Sequence, residues 1–174
     1  QSILFNIDQK AVAISKEEID AVLHVFVKVF NEMQGYYGKL GYVAEFERHL
    51  DERGKYEEFK NSYRQIADRP WEAGREQVIL EKENVDKAYA EIDSGGASEN
   101  LGIIDKYRQD YQVSIEDFAM MVKSYLDTQE KGFRLNFFVD EVGQYVADHI
   151  KLMTNFQTIA ESLATKCQGR AWLV

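Results

Sequence analysis

The sequence predicts a helix-rich α/β fold, a small parallel sheet interrupted by a long helical insertion. Three observations lead there. Short apolar runs suited to strands stand near the start, late in the chain and at its close. The long stretch between the first two repeats apolar side chains at three- and four-residue spacing, the period of helices packed on one face. A single proline among 174 residues leaves few rigid turns.

The elements follow in order. Ile3 to Ile7, ending at Asp8, is too short for a helix and reads as a strand. Ser15 and Glu18 form a capping box, and Ile19, Leu23, Phe26, Phe30 and Met33 then recur at helical spacing. The β-branched residues of VLHVFVKVF favour strand locally, but cap and length favour helix, which the glycines at 35, 38 and 41 end. Val43, Phe46 and Leu50 fall on one helical face, and Tyr56, Phe59, Tyr63 and Ile66 on the next, with Gly54 between them. DRPWEAGRE around Pro70 breaks the chain again. Val78, Val85, Tyr89 and Ile92 suggest a helix, DSGGASEN (93–100) a loop, and Leu101, Ile104, Arg108 and Tyr111 a shorter helix.

Ser114 with Asp117 opens one more helix, carrying Ile115, Phe118, Val122 and Tyr125. Leu135 to Val139 is continuously apolar, as expected of a strand buried on both faces. Gly143 allows a tight exit into a helix striped by Leu152, Phe156, Ile159, Leu163 and Cys167, stopping at Gly169. AWLV closes as a strand. The last three elements make a β-α-β unit, whose strands should be parallel and whose crossover right-handed.

Composition narrows the function classes. An apolar share of 45% and a charged share of 29% belong to a soluble globular protein. Thirty acids against 21 bases give a net charge of −9, which does not support a broad basic footprint for nucleic acid or an anionic membrane. The lone Cys167 excludes an intrachain disulfide framework and fits a reducing cytosol, so a cytoplasmic location is expected. No apolar run is long enough to span a bilayer and no signal peptide is visible. Both ends are apolar runs, SILFNID and RAWLV, without a polar closure. An excised piece of a larger protein is expected.

The chemistry concentrates in RLNFFVDEVGQYV, residues 134–146. Asp140 and Glu141 end the apolar strand, and open parallel sheets bind ligands beyond the carboxyl ends of their strands. An aspartate there can hold Mg²⁺ through a water, because Mg²⁺ keeps much of its hydration. A glutamate beside it can orient the water that attacks a terminal phosphate. The plain alternative is a pair of acids that only solvates the strand end.

No G-x-x-x-x-G-K-S/T phosphate loop is present, and SGGAS lacks a lysine and does not follow a strand. The histidines 24, 49 and 149 have no partners at metal-ligand spacing. His24 reads as packed and His49 as solvated, while a catalytic role for His149 is remote. Cys167 reads as a small core residue. EFERHLDERGKYEEFK mixes charges as exposed helix faces do, with its aromatic residues as core.

FRLNFFVDEVGQYV, TNFQTIAESLATKCQGRAWLV and RPWEAGRE together resemble the large P-loop ATPase of bacteriophage-exclusion (BREX) defence systems. SILFNID resembles the strand that family carries shortly after its glycine loop. The resemblance covers the whole chain as an internal piece. It implies the remnant of an AAA+-like P-loop NTPase sheet, with residues 134–139 central between 2–8 and 171–174, and a helical insertion at 15–130. It also implies ATP and Mg²⁺ as ligands, Asp140 at the Mg²⁺ position, Glu141 as catalytic base, and a part in phage defence beside other defence proteins. The isolated piece should be inactive without its glycine loop, and should self-associate by edge-to-edge strand pairing or by swapping a terminal element. A non-enzymatic helical scaffold or interaction module is the competing expectation.

Overall fold

In the computed structural model, which describes residues 1–7, 21–93, 102–142 and 150–174, three parallel strands hydrogen-bond in the order β1-β2-β3. In chain order the elements are β1 (Ser2–Asn6), α1 (Ala21–Met33), α2 (Gly41–Glu52), α3 (Tyr56–Ala67) and α4 (Trp71–Gly74). A 3-10 turn (Arg75–Gln77) leads on to α5 (Lys82–Ile92), α6 (Ile103–Asp110) and α7 (Ile115–Asp127). β2 (Leu135–Asp140), α8 (Ile150–Lys166) and β3 (Ala171–Leu173) complete the chain. The Ser15–Glu18 capping box, Asp8, most of the 93–100 loop, Leu101, Gly143 and His149 lie outside the described residues.

The chain forms two compact units, Gln1–Gln34 with Gln112–Val174, and Gly35–Tyr111. In the first, β2 lies between the other strands, the order expected from the sequence. Its register pairs Leu4 with Phe138, Asn6 with Asp140 and Asn136 with Trp172. Alternation then sends Ile3, Phe5, Leu135, Phe137 and Ala171 to one side, where all are buried. Helices α1, α7 and α8 supply the rest of that core. Phe26 of α1 is its hub, meeting Phe5, Phe118, Phe137 and Phe156 with ring centroids between 5.4 and 6.1 Å apart. Such pairs add about 0.5–1.5 kcal/mol each beyond simple burial.

Burial of β2 on both faces is not what the structure has. Leu135 and Phe137 are fully buried, whereas Asn136 and Phe138 are half-buried. On that same side Leu4 is 78% exposed and Trp172 49%. An apolar run shows that a strand avoids water, but it does not show how many layers cover it.

The run VLHVFVKVF is helix, with Val22, Val25, Val27 and Val29 all buried beside Phe26 and Phe30. A helix apolar on nearly every side belongs inside, and its β-branched content reflects that burial. At the start of α7, Ser114 and Asp117 close a capping box: the Asp117 N–H donates to Ser114 Oγ (3.1 Å) and the Ser114 N–H to the Asp117 carboxylate (2.9 Å). Those Ser114 bonds hold the Asp117 carboxyl below its ordinary range. Gly169, at φ +70°, turns the chain out of α8 and into β3.

The second unit, Gly35–Tyr111, lies within the helical stretch 15–130, whose α1 and α7 pack on the sheet instead. Its core gathers Val43, Phe46, Phe59, Tyr63, Trp71, Val85 and Ile104. Set within it is a carboxylate. Glu47 is wholly buried and accepts from the Tyr37 N–H (2.6 Å), Trp71 Nε1 (2.7 Å) and Arg75 Nη1 (2.9 Å). Glu81, also buried, accepts from Tyr63 Oη and Asn84 Nδ2, each at 2.8 Å. The charged run EFERHLDERGKYEEFK is exposed at Glu52, Arg53, Glu57 and Glu58, as expected, but not at Glu47. Gly74 is required for space: a Cβ there would stand 2.1 Å from the Tyr63 hydroxyl.

Removing Glu47 strands the Arg75 charge and the Tyr37 and Trp71 donors among apolar side chains. Glu47→Ala is expected to destabilise the helical unit by about 3–5 kcal/mol, the usual consequence of breaking a buried pair. Glu58→Ala, at an exposed position, should stay within about 0.5 kcal/mol. Urea titration followed by circular dichroism distinguishes them, and equal midpoints would show that Glu47 does not organise this core.

Candidate functional site

Parallel strands in register bring their carboxyl ends together, which places Asn6 directly opposite Asp140. Asn6, Phe138 and Asp140 share the sheet face away from α1, α7 and α8, by the same alternation that buries their neighbours. Asp140 is the last residue of β2 and is exposed. Its Oδ1 accepts the N–H of Glu141 at 2.8 Å.

Glu141 takes a left-handed backbone conformation, φ +61°, without a glycine's freedom to do so. The turn carries its side chain across to β1, where Asn6 Nδ2 donates to Glu141 Oε2. A non-glycine residue in this region costs on the order of 1 kcal/mol, and such strain gathers where a side chain must be aimed. Both acids are exposed and adjacent, with one oxygen of each already engaged.

Two carboxylates at a strand end can supply only part of a cation's coordination shell. Among the described residues, no group of three or more His, Cys, Asp and Glu side chains can hold a metal ion alone. Mg²⁺ needs no such group, since one or two carboxylates, waters and phosphate oxygens complete its octahedron. Asp140 fits that role, and the second carboxylate oxygen of Glu141 can accept a hydrogen bond from water.

The structure brings together the two acids read from the sequence and adds Asn6, which sequence reading missed. The sequence does not mark it: Asn6 lies inside the run Ile3 to Ile7, read as ending at Asp8, and only the parallel register sets it opposite Asp140. The remaining candidates are structural. His24 is half-buried in α1, and exposed His49 has Nδ1 2.8 Å from the Tyr107 hydroxyl. Cys167 lies in the core with Sγ 3.8 Å from the Ala119 carbonyl, and burial pushes its thiol pKa up. The SGGAS stretch and His149 lie outside the described residues.

Fold and site together define a helix-rich α/β chain with a three-stranded parallel sheet and a strand-end carboxylate pair. Among the described residues, no helix is long and apolar enough to cross a membrane. No protein-family model matches the chain, and no solved structure matches it.

If the left-handed turn at residue 141 is strained, substitutions there should rank by their tolerance of positive φ. Glu141→Gly should unfold at higher urea than Glu141→Val, by about 1–2 kcal/mol, because a β-branched side chain is the worst fit. A valine variant as stable as the glycine one would show that the strand end relaxes freely.

Proposed function

We propose that this chain is part of an ATP-hydrolysing P-loop protein of the bacteriophage-exclusion type, acting in the bacterial cytoplasm. What supports this most is the strand-end pair itself. Asp140 and Glu141 stand at the carboxyl end of the central strand of a parallel sheet, where open parallel sheets take their ligands. In this reading Asp140, whose Oδ1 accepts the Glu141 N–H, would hold Mg²⁺ through a water. Bound Mg²⁺ would neutralise charge on the phosphates. Glu141 orients the attacking water and accepts its proton through the oxygen that Asn6 leaves open. Asn6 is then a positioning residue, restricting the Glu141 side chain to one direction.

The described residues contain no phosphate-cradling loop, so most affinity for ATP belongs to a glycine loop elsewhere in the protein. Other defence proteins are the proposed partners, and the helical unit Gly35–Tyr111 is the part proposed to meet them. A second reading, a non-enzymatic scaffold, is favoured by one observation: that unit has its own core and carries neither strand-end acid.

The isolated chain is expected to show no micromolar binding of Mg–ATP in calorimetry. In a longer protein that includes a G-x-x-x-x-G-K-S/T segment ahead of Gln1, Glu141→Gln should retain nucleotide and lose turnover. Normal hydrolysis by that variant would exclude Glu141 as the catalytic base. Absence of any such segment would leave the scaffold reading.

A further inference from the structure

The chain enters the helical unit at Gly35 and leaves it at Tyr111, and both ends are tied to the unit's own interior. At the entrance the Tyr37 N–H donates to Glu47 and its hydroxyl to Glu76, at 2.6 and 2.8 Å. At the exit the half-buried Tyr111 ring lies against Gly41, the first residue of α2. The approach is close enough that a Cβ on Gly41 would stand 2.0 Å from the Tyr111 hydroxyl oxygen. One helical turn earlier, Tyr107 meets Phe46 edge-on with ring centroids 5.4 Å apart. The first long helix of the unit is thus fastened to its last.

Between those ends the interior is supplied from within. Glu47 takes its donors from Tyr37, Trp71 and Arg75, and Glu81 from Tyr63 and Asn84, all inside the unit. The apolar cluster around them shares no residue with the cluster under the sheet. A contiguous piece with its own core and paired buried charges is what opens as one cooperative unit. We infer that Gly35–Tyr111 is a self-contained insert, held shut at its ends by the Tyr111–Gly41 clasp, that unfolds and refolds while the sheet unit stays folded. The insert can then loosen or rearrange without disturbing the β1–β2 register on which Asn6, Asp140 and Glu141 depend. The inference does not rest on the ATPase reading.

The chain's two tryptophans fall one in each unit, Trp71 buried in the helical core and Trp172 exposed on β3. With Trp172→Phe in the full chain, fluorescence follows the helical unit alone, while circular dichroism follows the helices of both. Urea titration should give two transitions by circular dichroism, of which fluorescence reports one. Gly41→Ala should move the fluorescence midpoint to lower urea, although alanine is the better helix former, and leave the other transition in place. Phe26→Leu, in the sheet core, should do the reverse. Added to Tyr111→Ser, Gly41→Ala should lower the midpoint no further, because the ring it collides with is gone. Coincident curves that Gly41→Ala and Phe26→Leu each shift as a whole would overturn the inference. A fluorescence midpoint that Gly41→Ala leaves unchanged, or a loss that Tyr111→Ser does not absorb, would overturn the clasp.

Discussion

The in-register parallel pairing of β1 and β2 is the constraint from which the rest of the first unit follows. It fixes which residues face the helices and which face outward, because side chains alternate with a period of two. A slip of one residue would turn Phe5 and Phe137 to opposite sides of the sheet and carry Asn6 away from Asp140. The pairing is secured from the covered face, where Phe26 touches rings from both strands, from α7 and from α8. An aromatic core under one face thus sets the geometry of a polar cluster at the end of the other.

The two units reach stability by different chemistry. The sheet unit is held mainly by apolar packing, with polar ties such as Lys166 to Glu116 and Arg170 to the Leu126 carbonyl around it. The helical unit folds around two buried carboxylates, Glu47 and Glu81, that knit together donors from separate helices. Charges buried in this way give little net stability over apolar replacements, but they penalise any arrangement that leaves them unpaired. That penalty favours one packing of α2 to α6 over others with similar apolar contacts.

Much of this is legible from spacing alone. The strands at each end, the strand before Asp140, the helices at 41–52 and 56–67, and the Ser114 cap all follow from period and punctuation. Glu47 escapes a reading that weighs its charge and not its position. It lies four residues after Val43 and three before Leu50, on the buried stripe, and Glu81 lies three after Val78 and four before Val85. The exposure of Leu4, Phe138 and Trp172 is not legible, since apolar content does not count layers. Nor is the turn at Glu141, because no glycine marks it. Asn6 becomes a site residue only through register, which is a tertiary fact.

The strand-end cluster therefore stands or falls with the apposition of residues 6 and 140. Cysteines placed there should lie within disulfide range, because register partners on adjacent parallel strands have Cα atoms about 5 Å apart. The most direct measurement compares intrachain cross-linking of Asn6→Cys with Asp140→Cys against Asn6→Cys with Phe138→Cys, under mild oxidation and dilution. The expected result is fast closure of the 6–140 pair and slow closure of the 6–138 pair. Closure of the 6–138 pair at an equal or greater rate would contradict the register, and with it the site that joins Asn6, Asp140 and Glu141.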